Sequence, residues 1–440
     1  MAIPTNDWYT IKSGDTLSKI AKEAGIPDWK TIYNDPQNAD FRKKRPDPDK
    51  IYPGDKIWIP GNPKTSTGKK TVFVISRVLH ASIVQIEGDT DISVAYAKKK
   101  VMKPHWKEGE TVDDSYKDGG ASIDCSKKPA IFSLKDKAAR LKVKLNISKL
   151  TVSGDCKLTG ILEGLKFEAT FRGEEGEKEV IAEAVTSPTT QKWYKGDMQW
   201  ELYPVYYPSE KISLAATRLE LFFILDKPKP LYKANGVWTE VLRFLFQKVN
   251  LDGTDTDEKA AAKITSFFHS KFGLTYDTSY GAPAYTLGIN DTTNTVDEFK
   301  LMFFMEKNRG NTVNCYDEAS AVQSFCAAIG IGTQWLFCEP FGFITTTNLV
   351  GVGSCNNPFF KSNGSSKIVP QNDSKRTGFG NHAFCGIEIN KQDNVLDACA
   401  GPHLGNESRK KYLDNSIDRA MGGDGDISDI KNFKEVLTIG

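Results

Sequence analysis

No run of this chain is long and apolar enough to cross a membrane, and the opening Met-Ala-Ile-Pro-Thr-Asn-Asp lacks a charged region followed by an apolar core. Neither a membrane span nor a cleaved secretory leader is therefore expected. Net charge is scarce too: 58 Lys and Arg against 56 Asp and Glu leave +2, which gives no global pull toward nucleic acid. Local runs such as Arg42 to Arg45 and Lys98-Lys99-Lys100 read as solvated faces. There is no CxxC and no close Cys/His cluster, so zinc spacing is missing and neither metal nor cofactor is expected. The eight cysteines suit either redox setting; Cys338 with Cys355, or Cys385 with Cys399, are the pairs open to a disulfide.

What is present is length and apolar content. At 440 residues the chain is about three times the usual ~150 per domain, and 39% hydrophobic residues can build real cores. The pattern divides into residues 1–62, a β-rich 63–235 and a mixed 236–440.

In the first part, Tyr9 to Lys12 make a short strand, Ser13-Gly14-Asp15 a turn, and Thr16 caps a helix with Leu17, Ile20, Ala21 and Ala24 on its apolar face. Asp28 caps a second helix carrying Trp29, Ile32 and Tyr33. Pro53-Gly54-Asp55 then turns into Lys56 to Ile59, which pairs back with the first strand. This βααβ unit, with Trp-Tyr-Thr-Ile-Lys-Ser-Gly-Asp-Thr-Leu at one end and Ile-Tyr-Pro-Gly-Asp-Lys-Ile-Trp-Ile-Pro at the other, closely resembles a LysM domain. The resemblance implies binding of N-acetylglucosamine polymers such as peptidoglycan in a shallow groove. Its walls would be Gly14, Asp15, Thr16 and Leu17 on one side and Ile51, Tyr52 and Pro53 on the other. Asp35 to Asp49 is longer and more basic than a minimal LysM, and resembles the variant found in proteins of phage tails and contractile injection machines. A docking role without sugar binding stays open.

Gly61 to Lys70 reads as a linker. Beyond it, short alternating runs (Thr71 to Val78, Ile92 to Ala97, Ala139 to Leu145, Leu158 to Phe171, Glu179 to Ala184, Leu219 to Leu225) argue for an antiparallel, sandwich-like region. Its aromatic stretch, Trp193 to Tyr207, reads as core and loop packing.

The last part carries the chemistry. Cys315, Ala319, Val322, Cys326 and Ile329 recur at helical spacing, Asn314 can cap together with Asp317, and Gly330 supplies a stop. The Cys315 thiol thus sits in the first turn, where unpaired N–H groups favour a thiolate. Asp317 and Glu318 would oppose that charge, so a cationic partner is needed. His382 opens the strand-like His-Ala-Phe-Cys-Gly-Ile-Glu-Ile, and Val395 to Cys399 returns after a polar stretch. With a two-residue Asn390-Lys391 turn, Asp397 falls opposite Phe384, one diagonal step from His382 on the same face. An odd-length loop would separate them. His80, His105, His269 and His403 lack such context and read as surface or structural. Taken singly, Cys315 is as readily a small buried hydrophobe as a nucleophile.

Together these motifs resemble the transglutaminase-like branch of the papain-like cysteine enzymes, over roughly residues 240 to 415. The resemblance implies a multidomain α+β chain that ends in a papain-like/transglutaminase-like α+β domain. It also implies Cys315, His382 and Asp397 as a triad, and cleavage or exchange of an amide in a protein or peptide. Val313-Asn314 departs from the small residue often found before the Cys, and only the Cys315 N–H suggests itself as an oxyanion donor. With LysM and no leader, the expected protein is a cell-wall-directed enzyme delivered by a specialised secretion or injection system. The alternative is a non-catalytic adaptor of such a machine.

Overall fold

The computed structural model describes residues 3–60, 79–96, 100–102, 105–108, 117–118, 121–122, 129–151, 154–290, 295–339, 341–357, 378–418, 430–433 and 436–440. The linker, the expected strand Thr71 to Val78 and most of Lys98 to Lys100 lie outside them. The chain divides into two compact units, Met1–Ser76 and Arg77–Gly440. Among the described residues no helix is long and apolar enough to cross a membrane.

The N-terminal unit pairs β1 (Asp7–Thr10) antiparallel with β2 (Lys56–Ile59), with Tyr9 opposite Ile57. Two short helices, α1 (Leu17–Glu23) and α2 (Trp29–Tyr33), lie between them in sequence. Thr16 and Asp28 accept the cap bonds that their sequence positions predict. The long basic insertion adds a third helix, α3 (Ala39–Lys44). The core is Ile3, Ile11, Leu17, Ile20, Ile26, Ile32, Phe41, Ile57 and Ile59, with Tyr9, Trp29 and Tyr33 against it. Isoleucine fills most of this small core, and of the aromatic residues only Phe41 is buried in it, Tyr9, Trp29 and Tyr33 being partly buried against it.

The second unit begins with one nine-stranded sheet: β3 (Leu79–Gly88), β4 (His105–Lys107), β5 (Ala130–Ser133), β6 (Arg140–Leu150), β7 (Gly154–Leu162), β8 (Leu165–Gly173), β9 (Gly176–Ala184), β10 (Lys192–Pro204) and β11 (Ile212–Ile224). Its spatial order is β4-β3-β6-β9-β8-β7-β10-β11-β5. β11 also packs against β3, so the sheet curls over a single core and the sandwich-like packing comes from one continuous sheet. The alternation that marked these strands is the cause: in β6, Leu141, Val143, Leu145 and Ile147 all point inward. Trp200 lies opposite Gly160, where a Cβ would come within 2.5 Å of the indole, so the close approach requires glycine.

The sheet and the C-terminal region share a core. Glu220 of β11 pairs with Arg243 of α4 (Thr239–Phe244), Nη2 to Oε2 at 2.5 Å, with both side chains fully buried. Trp193 Nε1 donates to the same carboxylate at 3.0 Å. Next come α5 (Asp257–Ser270), α6 (Leu301–Glu306) and the central helix α7 (Cys315–Ala328). Rings of Phe244, Phe268, Phe272, Phe304 and Phe325 pack between these helices. α7 ends at Ala328, and Gly330 at φ +90° turns the chain where a Cβ would strike the Asp226 carbonyl. α7 lies on a five-stranded sheet. Its strands are β12 (Thr333–Cys338), β13 (His382–Ile389), β14 (Gln392–Asp397), β15 (His403–Ser408) and β16 (Ile430–Phe433), in the order β15-β14-β13-β12-β16. Helix α8 (Arg409–Ser416) follows β15.

Candidate active site

Cys315 is the first residue of α7. Asn314 accepts from the N–H groups of Tyr316 and Asp317, and the Asp317 carboxylate returns to the Asn314 N–H, a full capping box. The thiol sits at the dipole's positive end and is 3% exposed.

His382 comes from the start of β13, and Asp397 from the end of β14. The connecting turn is Asn390-Lys391, both in the left-handed region at φ 53° and 65°. Ile389 pairs with Gln392 and Cys385 with Leu396, so an even register carries Asp397 to the place opposite Phe384. His382 Nε2 meets Asp397 Oδ2 at 2.8 Å, with both residues 1% exposed. With Nε2 occupied, Nδ1 is the nitrogen left for the thiol; it has no hydrogen-bond partner among the described residues.

Burial alone would lower the imidazole's pKa. The Asp397 charge and hydrogen bond outweigh it, the influence of Cys315 adds to them, and His382 is raised to about 10. Burial pushes Asp397 upward, but the His382 charge and bond bring it down to about 2. Asp397 Oδ1 also accepts from the N–H groups of Cys399 and Ala400 at 2.8 and 3.0 Å.

The acidic pair after the cysteine turns out differently from a simple repulsive cluster. Asp317 accepts from the backbone N–H groups of Ala284, Tyr285, Thr286 and Asn314, so its oxygens are committed to tying segment 284–286 to the helix start. Burial raises its pKa, and these bonds oppose the rise. Glu318 is 1% exposed with neither oxygen hydrogen-bonded among the described residues. Burial first, then the Asp317 and Asp397 charges, raise it well above the usual carboxylate range, which favours the neutral acid.

Several participants carried no sequence signal. Tyr412 on α8 donates to Asp397 Oδ2 at 2.7 Å, and its ring meets that of Phe384. His403 stacks edge-on against Tyr412 and bonds Glu407 at 2.8 Å. Buried His269 holds the Ala398 carbonyl at 2.9 Å, next to Asp397, so its role is structural. Their only sequence clue was proximity to strand ends, which does not distinguish them from surface polar residues. The described cysteines are all free, so neither candidate disulfide forms.

In the N-terminal unit the segments next to the two expected groove walls are joined by backbone bonds from the Ile11 N–H to the Asp55 carbonyl and from the Gly54 N–H to the Ile11 carbonyl. Asp15 accepts from Tyr9 Oη and the Lys12 N–H, both at 2.8 Å, which fixes the first loop. Thr16 is spent on the helix cap. Tyr52 is 50% exposed with the Arg45 guanidinium 4.2 Å over its ring, whereas Leu17 is 4% exposed and serves the core, offering a sugar only its backbone.

Residues 9–30 match the family model of the LysM domain, so the N-terminal unit carries a LysM domain. No curated protein matches the chain. Among solved structures, red sea bream transglutaminase is 11% identical with a TM-score of 0.38, over 64% of this chain and 52% of that one. The chain thus spans about half the length of that enzyme. A candidate cysteine protease from Cytophaga hutchinsonii is 11% identical with a TM-score of 0.22, over 60% of this chain and 75% of that one. The LysM match agrees with the resemblance read from the N-terminal sequence.

Proposed function

We propose that this chain is a cysteine-dependent enzyme that cleaves or exchanges an amide bond. LysM would hold it on an N-acetylglucosamine polymer such as peptidoglycan. The observation that carries the reading is the buried His382–Asp397 pair at 2.8 Å, with the Cys315 thiol buried in the first turn of a helix.

The chemistry follows from protonation states. His382, with Asp397 at 2.8 Å to orient its ring and stabilise its charged form, is the group that would take the thiol proton. Sulfur attacks the amide carbonyl, and the carbonyl oxygen gains a negative charge that the Cys315 N–H can meet. His382 gives its proton to the leaving amine as the C–N bond breaks, and a thioester remains. Water releases the acid, giving a peptidase, amidase or deamidase; an amine forms a new amide, giving a cross-linking enzyme. Each outcome returns the proton to the pair.

A second reading is favoured by closure of the site: Cys315, His382 and Asp397 are all 3% exposed or less, as in a domain that serves a secretion or injection machine as a catalytically idle adaptor. One experiment separates the two. Wild type and Cys315→Ala are incubated with peptidoglycan fragments, and with a glutamine-containing protein plus a labelled amine. New termini mean hydrolysis and label uptake means transfer, each absent from the variant. Identical traces from both proteins leave the adaptor. Retention on purified sacculi, lost on removing residues 1–62, tests the targeting role. Delivery to the cell wall by a specialised secretion or injection apparatus belongs to the same proposal.

A further inference from the structure

The sulfur and the imidazole come from different elements, α7 and β13, and the pairing works only if those elements keep their separation. Asp397 fixes the ring through Nε2. The residues flanking the reactive pair supply a second tie. Tyr316 directly follows Cys315, Asn381 directly precedes His382, and Tyr316 Oη donates to Asn381 Oδ1 at 2.6 Å. The Tyr316 ring is also wedged against Trp335 and Phe337, with centroids 5.8 and 6.0 Å away. Those rings belong to β12, whose Phe337 pairs with Ala383 of β13. At its other end the Tyr316 N–H is held by the Asn314 cap. One side chain therefore braces the first turn of α7 against the strand that carries the imidazole.

We infer that Tyr316 and Asn381 form a positioning pair that sets the distance between the Cys315 sulfur and the His382 ring, and so the population of the thiolate–imidazolium pair. This rests on the amide-chemistry reading above. Attraction between opposite charges in a buried site falls steeply with separation, so a small slip at the brace returns the proton to sulfur. Tyr316→Phe deletes only the hydroxyl and leaves the ring packing, which separates positioning from folding.

The test is the rate of Cys315 alkylation by iodoacetamide in the full-length protein between pH 5 and 10, read by peptide mass spectrometry. In Tyr316→Phe the rate at pH 6 should fall about tenfold, equivalent to one pH unit in the profile, and converge with wild type at pH 10. Asn381→Ala should shift the profile likewise. The double variant should be no worse than the more affected single, because the two side chains share one bond. A Tyr316→Phe profile superimposed on wild type overturns the inference, as does a double variant equal to the product of the singles. Wild-type Cys315 with no reactivity on the acid side would instead overturn the parent reading, and this inference with it.

Discussion

The two candidate sites of this chain are built in opposite ways. The LysM unit leaves Tyr52 half exposed beside backbone groups of two short loops, whereas Cys315, His382 and Asp397 are almost fully enclosed. A glycan is recognised through accessible donors and a flat apolar face, so its site belongs at a surface. A proton relay depends on charges that water does not screen, so its site belongs in an interior. The interior site therefore needs far more of the chain to hold it. It draws on α7, β13, β14 and α8, while the groove draws on two loops closed by bonds between Ile11, Gly54 and Asp55.

That contrast breaks first at Asp397. Asp397→Asn should lower any amide-directed turnover by roughly four orders of magnitude, because the imidazole loses the carboxylate that fixes its tautomer and stabilises its charged form. It should also flatten a pH dependence of stability. Asp397, held near 2 against its ordinary 3.8, contributes stability above about pH 4 that is lost as pH falls toward 2. His382, raised from 6.5 to about 10, contributes below 6.5 and loses it as pH rises through 10. The two shifts describe one ion pair, so the pair's own contribution, read as the difference in melting midpoint between wild type and the variant, should plateau between about pH 4 and 6.5 and fall away on both sides.

A core change in the other unit should act locally. Ile20 is fully buried in a thin core. Ile20→Ala should cost about 2–5 kcal/mol and expose the N-terminal unit of the full chain to limited proteolysis. Cys315 alkylation should stay as in wild type; a parallel fall would contradict the division into two units.

Glu318 gives a smaller effect of opposite sign. A carboxyl with a raised folded pKa makes the protein lose stability as pH rises above the ordinary 4.5. Glu318→Gln should be close to wild type at pH 4 and more stable than wild type at pH 8, seen as a higher melting midpoint. A variant destabilised at pH 8 would mean that Glu318 is ionised and paired. Smallest in stability is Tyr52→Ala, within about 0.5 kcal/mol of wild type for a surface ring. It should still weaken N-acetylglucosamine oligomer binding by about tenfold, measured calorimetrically. Unchanged binding would move the glycan site away from Tyr52.

Legibility differs between the regions for the same reason. Caps and turns are local, so Thr16, Asp28, Asn314 with Asp317, and the Gly330 stop could be read from a few neighbouring residues, and each forms as its neighbours dictate. The β13–β14 hairpin was legible because Asn390-Lys391 is the right length for a turn that keeps register. Tyr412 on Asp397, the Tyr316–Asn381 brace and the commitment of Asp317 to the backbone of 284–286 were not legible. They join residues remote in sequence or in separate elements, and nothing in a hydroxyl or an amide announces which partner it will meet. The curl of nine strands into one sheet was hidden for the same reason: alternation gives each strand a face but not a neighbour.

The order of amino acids by itself determined the chemical types and the short-range geometry: a thiol in a helix's first turn, an imidazole and a carboxylate on one face of one hairpin, and a compact aromatic-rich βααβ unit. Tertiary structure alone decided that these groups are buried, that one acidic neighbour is spent on backbone N–H groups while the other is buried without a hydrogen-bond partner among the described residues, and that a phenol on α8 completes the carboxylate's hydrogen bonds. Hydrogen bonds within a few residues follow from backbone stereochemistry, whereas burial and the partners it imposes exist only once remote segments have packed.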